Sequence, residues 1–144
     1  MNKLVAAACA AVSMASLGTA RAAPAGAQPT AANTSLTTVS PLMTQELLAD
    51  PTKEVVMLTV TYAPGGSSSP HRHDAQVFVY VLEGTLTMQV QGHAAVTLHA
   101  GETFYESPGD IHAVSANASQ VVPAKFLVVM VKDKARPVSR AVSK

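Results

Sequence analysis

A series of short apolar segments, separated by glycine or proline turns, constrains the fold of this chain more than any other feature. In the first, which begins at Lys53, the apolar residues alternate and so share one face of a strand; they are Val56, Leu58, Val60 and Tyr62. The later segments are Val77–Leu82, Thr85–Gln91, Ala94–His99, Thr103–Glu106, Ile111–Ser115 and Lys125–Val131. Many short antiparallel strands with glycine turns predict an all-β sandwich or barrel with little helix. Composition alone does not choose between the two.

The segment Val77–Leu82 is apolar without interruption. A continuous apolar and β-branched run of this length is typical of a buried strand. We therefore expect Phe78 and Tyr80 to lie in the core.

Residues 1–22 are typical of a secretory signal peptide. Lys3 supplies the positive charge, Leu4–Leu17 an apolar, alanine-rich core, and Ala20–Ala22 a small-x-small cleavage site. The core is shorter than the about 20 apolar residues that a membrane-spanning helix needs. We therefore expect cleavage near Ala22 and a periplasmic or secreted protein that has no membrane contact afterwards.

Removal of this segment changes the charge and the cysteine content. With Lys3 and Arg21 gone, Lys plus Arg falls from 10 to 8 while Asp plus Glu stays at 9, so the formal charge changes from +1 to −1. This balance gives no basic surface for nucleic acid. Cys9 is the only cysteine, so the mature chain has no disulfide and no thiolate metal site. The remaining residues, about 120, suffice for one domain with one core.

The sequence predicts four parts of the chain. Residues 1–22 are the signal peptide, and residues 23–39 form a disordered arm because they are polar and without periodicity. Residues 40–132 form the β domain. Within it, Pro41–Ala49 is either a short helix or an edge segment, with its leucine and methionine residues in the core. Residues 133–144 are a basic, solvated tail.

Two short stretches carry the candidate chemistry. The first runs from a turn at Gly65 to His71 and His73, which share one face if the segment is extended, so that both imidazoles can bind one ion. The second begins at Gly101, contains a short strand and a Pro-Gly turn, and reaches His112. Three imidazoles suit a divalent Fe, Mn, Ni, Cu or Zn ion.

These two stretches together resemble the motifs of the cupin family. The first has Gly65, five residues, then His-x-His, and closes at Gly84; the second has Gly101, Pro108, His112 and Asn117. The resemblance covers roughly residues 59–131. It implies an antiparallel jelly-roll barrel, that is, a double-stranded β-helix. It also implies one divalent transition metal held by His71, His73 and His112, and a homodimer through sheet edges or an exchanged N-terminal strand supplied by Pro41–Tyr62.

The fourth ligand departs from the family pattern. A glutamate is usual at the position that Val77 occupies, and valine cannot bind a metal. Gln76 is adjacent and would reach inward if a bulge shifted the strand. Glu106 is a second candidate, as a metal ligand or as a general base, if its strand face is inward. Both are predicted site residues, Gln76 as a weak metal ligand and Glu106 as the catalytic residue.

Two functions remain open at this point. One is a metal-dependent enzyme that binds a small oxygen-rich substrate, of the dioxygenase, isomerase or decarboxylase type, and this is the reading that we favour. The other is a non-catalytic module that holds a small molecule or a metal in the same barrel. The fold does not decide between them, because one fold supports many activities.

Overall fold

The structure is a computed structural model that describes residues 36–142. This part of the chain contains eleven strands and no helix. The strands are β1 (Thr37–Leu47), β2 (Asp50–Tyr62), β3 (Ser67–Ser68), β4 (His71–Arg72), β5 (Ala75–Glu83), β6 (Thr85–Val90), β7 (Val96–His99), β8 (Thr103–Glu106), β9 (Ile111–Asn117), β10 (Ala124–Asp133) and β11 (Arg140–Ala141). The predicted segments therefore coincide with β2 and β5 to β10, with ends that differ by a few residues.

The strands form two antiparallel sheets. The first sheet has the order β1-β2-β10-β5-β8, and the second has the order β11-β4-β9-β6-β7, with β3 also paired to β9. Residues from both sheets belong to one hydrophobic core, for example Val60 and Val79 from the first and Leu86 and Met88 from the second. Two sheets around a shared core form the jelly-roll barrel that the resemblance implies, so the all-β prediction is confirmed.

Strict alternation of side chains fills this core. Val56, Leu58, Val60 and Tyr62 of β2 are all buried, as predicted from their spacing. On β10 the same alternation buries every second residue, including Phe126, Val128 and Met130. Because neighbouring residues of a strand point to opposite faces, β2 and β10 each give one row of side chains to the interior.

Gly84, the closing glycine of the first motif, joins β5 to β6. Its φ is 77°, a left-handed conformation that side-chain-bearing residues rarely adopt. A Cβ there would also lie 2.5 Å from the carbonyl oxygen of Pro123. Both constraints require glycine, and the tight turn sets the register of the strands that follow.

The N-terminal region differs from the prediction in two ways. β1 begins at Thr37, within the expected arm, and runs along the edge of the first sheet, so Pro41–Ala49 is an edge strand and not a helix. Leu42, Met43 and Leu48 are exposed, and their placement in the core was wrong. Leu42 and Met43 are exposed because β1 contacts the barrel through backbone pairing with β2, and within residues 36–142 nothing covers them; Leu48 lies in the turn after β1. The predicted signal peptide and most of the arm lie outside the described residues.

The outer face of β5 is a second correction. Val77, Val79 and Val81 are buried, whereas Phe78 and Tyr80 are each 45% exposed on the opposite face. An apolar run shows no period, so the sequence did not reveal that only one face of this strand is covered.

Among residues 36–142, no helix is long and apolar enough to span a membrane.

Candidate metal centre

Strand pairing brings the three predicted histidines together inside the barrel. β4 and β9 are antiparallel neighbours, and their register places His71 opposite His112. His73 follows β4 directly. One ring nitrogen of each histidine lies within 4.8 Å of those of the other two. The ring centroids of His71 and His73 are 4.9 Å apart, and those of His71 and His112 are 5.2 Å apart.

A β-bulge orients His112. Gln89 of β6 pairs with Val114, but the next residue, Val90, pairs with His112, so β9 carries one extra residue, Ala113. The bulge shifts the alternation of β9, and as a result His112 and Ser115, three residues apart, are both buried. Bulges of this kind re-aim side chains next to functional sites.

Each imidazole is held at its Nδ1 atom, which leaves Nε2 for another partner. Nδ1 of His71 donates a hydrogen bond to the carbonyl oxygen of Ser69 at 2.7 Å, and Nδ1 of His73 donates to that of Val138 at 2.5 Å. A carbonyl oxygen only accepts, so these two nitrogens carry the proton. Nδ1 of His112 lies 3.1 Å from Oε1 of Glu106, a distance at which it can donate to the carboxylate.

The burial of His71 favours its neutral, metal-binding form. Burial lowers the pKa of His71 below its usual value, and the neighbouring His73 and His112 lower it further, whereas the hydrogen bond to Ser69 acts in the opposite direction. His112 is only 4% exposed, and within the described residues its buried Nε2 has no hydrogen-bond partner. Buried polar atoms normally have a partner. A metal ion would supply one, so the residues fit the metal that the resemblance implies.

Glu106 lies behind this cluster and not within it. It is 2% exposed on β8, and its carboxylate is outside the group of ring nitrogens that converge. β8 pairs with β5 so that Glu106 is directly opposite Val77, the position where the family usually has a glutamate. The interior therefore keeps a carboxylate, supplied by the neighbouring strand. Its Oε2 atom is buried and has no hydrogen-bond partner among the described residues.

The structure does not bring Gln76, the predicted weak ligand, to the cluster. Its side chain is exposed on the outer face of β5, opposite to the buried Val77. The inward position would need a bulge, but β5 pairs without interruption here, Gln76 with Val131 and Val77 with Met130. The regular register therefore fixes the carboxamide outside the barrel.

A cavity of about 350 Å³ opens beside the histidines. The three histidines and Glu106 line one region of it, and most of the remaining wall is apolar, including Leu58, Val60, Val79, Phe126, Val128 and Met130. The wall also contains hydroxyl groups: Tyr62 bonds through its hydroxyl to Ser68 and Ser115, at 2.7 Å each, and both serines line the cavity. The site can thus accommodate a small molecule that has a polar end and an apolar body.

Sequence reasoning missed the contribution of the C-terminal tail. The tail is exposed, as expected, but it pairs with β4 through β11, and Val138 holds His73 through its main-chain oxygen. Every residue type has a main-chain carbonyl, so the sequence does not indicate which residue accepts this hydrogen bond. The sequence does contain one indication that the tail contacts this region, namely Asp74, an acidic residue next to His73. In the structure Asp74 binds Arg140 of the basic tail.

Solved structures with similar folds include enzymes. An oxalate oxidase in complex with the substrate analogue glycolate is 25% identical, with a TM-score of 0.53 over 67% of this chain and 51% of that chain. A DMSP lyase from Ruegeria pomeroyi DSS-3 is 20% identical, with a TM-score of 0.52 over 58% of this chain and 41% of the lyase. This chain thus spans about half the length of the oxidase and about two fifths of the lyase.

A cupin superfamily protein from Desulfitobacterium hafniense DCB-2 is 15% identical, with a TM-score of 0.56 over 67% of this chain and 78% of that chain. At this identity the likeness shows the fold alone. No curated protein sequence matches the chain. The family model of the cupin domain matches residues 58–130, which contain all three histidines and Glu106. This chain therefore belongs to the cupin family.

Proposed function

We propose that this chain is an exported cupin that binds one divalent transition metal through His71, His73 and His112 and acts on a small oxygen-bearing substrate. The observation that carries the proposal is the convergence of the three imidazoles, each of which has a partner at Nδ1 and brings one ring nitrogen within 4.8 Å of the other two. Two of them are held through Nδ1 by main-chain carbonyls and the third faces a carboxylate. Ligating histidines in metalloproteins are held by outer partners of the same kind.

The metal, when bound, would act as a Lewis acid on a substrate oxygen. Three neutral imidazoles would leave the full charge of the ion, which favours an anionic substrate oxygen. Within the cavity the apolar wall excludes water and orients the body of the substrate. Glu106 is the candidate proton acceptor. This role is supported by its position in the cavity wall and by its Oε2 atom, which has no hydrogen-bond partner among the described residues.

The reaction is of the dioxygenase, isomerase or decarboxylase type. The similarity to an oxalate oxidase seen with glycolate supports a small, oxygen-rich ligand for this site. The cavity wall supports a substrate that also has an apolar portion, because most of the lining residues are aliphatic or aromatic.

A non-catalytic binding module is the second candidate. Among the described residues that line the cavity, Glu106 is the only carboxylate, so the site offers few groups for acid–base chemistry beyond the histidines. A binder would be stabilised by its ligand and release it unchanged, whereas an enzyme would form product.

Export is part of the proposal. The signal peptide of residues 1–22 supports it, with Lys3, the apolar run and the cleavage site at Ala22. The periplasm would then be the compartment in which the metal is acquired.

We also propose that the chain forms a homodimer. The register places Met57, Val129, Phe78 and Tyr105 in one row across the outer face of the first sheet. Phe78 and Tyr105 are 45% and 46% exposed and contact each other, with ring centroids 5.3 Å apart. The solvent face of an antiparallel sheet is normally polar. A second copy that covers this face would remove the apolar row from water.

The test of the metal centre is the metal content of the purified protein. Untagged protein from the periplasm is analysed by mass spectrometry beside the double variant His71→Ala/His73→Ala. The matched control is His93→Ala/His99→Ala, which removes two exposed histidines. We expect about one equivalent of metal in the wild type and the control and none in the site variant. Equal metal content in all three proteins, or no metal after reloading, would contradict the proposal.

Turnover then separates the two candidate functions. Small carboxylic and hydroxy acids are incubated with the metal-loaded protein, and both products and thermal stabilisation are measured. Product that is lost in His73→Ala supports the enzyme. Stabilisation without product identifies the binding module.

A further inference from the structure

The segment 136–141, which we call the C-terminal strap, returns to the barrel next to the metal-binding strand. Its β11 portion pairs with β4, with Arg140 opposite Arg72 and Ala141 opposite His71. Val138, Ser139 and Ala141 of the strap line the cavity. The strap therefore forms part of the wall around the three histidines.

Three contacts join the strap to the residues that follow β4: one main-chain hydrogen bond and two ion pairs to Asp74, of which the longer is that of Arg136, at 4.0 Å. The carbonyl oxygen of Val138 accepts the hydrogen bond from Nδ1 of His73 at 2.5 Å. Nη2 of Arg140 lies 2.7 Å from Oδ1 of Asp74, the residue after His73. The ion pair anchors the strap beside the very histidine whose ring the strap holds.

His73 differs from the other two histidines because the partner of its Nδ1 atom belongs to the strap. His71 is held by Ser69, two residues away, and His112 is held by Glu106 within the same barrel. The acceptor for His73 is 65 residues away in sequence, and it lies beyond the family match, which ends at residue 130. The barrel core contains no residue of the strap. Removal of the strap should therefore leave the fold intact and affect this one ligand.

We propose that the C-terminal strap is a positioning element of the metal centre, which holds His73 in the tautomer that presents Nε2 to the ion. This inference rests on the proposed metal site. Without the Val138 carbonyl, the ring of His73 is free to rotate and to exchange its tautomers, so a smaller fraction of molecules presents three Nε2 atoms at once. Outer partners of metal-binding histidines typically contribute about 10-fold to 100-fold to metal affinity.

The strap is also the part of the site that is easiest to detach. It is exposed and is held by a two-residue strand pairing, the hydrogen bond to His73 and two surface ion pairs to Asp74. Surface ion pairs contribute little to stability. Local opening of weakly held segments needs less free energy than global unfolding. Detachment would open the cavity and release His73 in the same motion.

The test compares the wild type with a chain that ends at Ala135, which lacks the whole strap, and with Arg140→Ala. Nitrogen NMR of the histidine rings in the metal-free protein reports the tautomer of each histidine, and a chelator competition gives the metal affinity. Arg140→Lys keeps the cation, so its His73 tautomer and its metal affinity should be closer to those of the wild type than are those of Arg140→Ala. Lys134→Ala is the matched control, because it removes a cation of the same tail that pairs with Glu46, away from the site.

We expect the truncated chain to lose the single Nδ1-protonated state of His73 while His71 keeps its own, and to bind metal about 10-fold to 100-fold more weakly. Arg140→Ala should show the same change in smaller measure, and Lys134→Ala none. An unchanged tautomer of His73 in the truncated chain would overturn the inference. Absence of metal binding by the wild type would overturn the proposed function alone, because the tautomer comparison uses no metal and still decides the role of the strap.

Discussion

Replacement of Glu106 by glutamine should weaken metal binding and stabilise the metal-free fold. The side chain is 2% exposed, one oxygen lies 3.1 Å from Nδ1 of His112, and the other oxygen is buried and has no hydrogen-bond partner within residues 36–142. A buried carboxylate with an unpaired oxygen is unfavourable unless another group compensates it. In the proposed site, the nearby metal ion provides that compensation.

The magnitudes follow from these contacts. An unsatisfied buried polar group costs about 1–3 kcal/mol, and more when it is charged. Glutamine has nearly the same shape without the charge, so we expect a gain of about 1 kcal/mol in the metal-free protein. That corresponds to a rise in Tm of roughly 4–8 °C for a domain of this size. The amide holds His112 less strongly than the carboxylate, and loss of such a partner lowers metal affinity about 10-fold to 100-fold.

Two measurements on the same samples check this prediction. Scanning calorimetry of the metal-free proteins gives Tm, and competition with a chelator gives the metal Kd. The control is Glu102→Gln, which changes an exposed glutamate that binds the backbone N–H of His99 in a hairpin. A lower Tm for Glu106→Gln together with an unchanged Kd would refute the reasoning, because Glu106 would then stabilise the fold and not the metal.

Two further predictions concern pH and assembly. Because burial lowers the pKa of His71 below its usual value of about 6.5, the unfolded chain takes up a proton first as the pH falls. The metal-free protein should therefore lose stability as the pH falls from about 6.5 to the lowered pKa of His71. The variant His71→Asn should flatten this part of a plot of Tm against pH. An equal slope in the variant would contradict the assignment to His71. In sedimentation velocity, the double variant Phe78→Ser/Tyr105→Ser should be monomeric, whereas Val121→Ser, which changes an exposed valine in a loop, should remain a dimer. A dimeric double variant would exclude the outer face of the first sheet as the interface.

Most of the strands could be predicted because their signal is local. Alternation with period two places Val56 to Tyr62 on one buried face, and turn glycines such as Gly84 and Gly101 have the positive φ that the turns require. The same local geometry predicted that His71 and His73 share a face. The resemblance to the cupin motifs added His112, which the structure brings into the same cluster.

The errors arose where the signal is not local. The apolar run of β5 is compatible with burial of either face, and only the packing of the two sheets exposed Phe78 and Tyr80. Leu42 looked like a core residue because it is apolar, but an edge strand can be held by its backbone alone. Gln76 required a bulge in β5, and the bulge beside the site is in β9, next to His112.

The sequence by itself thus determined β2 and β5 to β10, their turns, the shared face of the histidine pair and the family. Tertiary structure alone decided that Glu106 stands opposite Val77 and behind His112, and that the carbonyl of Val138 holds His73. The physical reason is that periodicity and turn chemistry act between neighbours in the chain. Cross-strand register and main-chain hydrogen bonds join residues that are far apart in sequence, and a carbonyl group is the same in every residue.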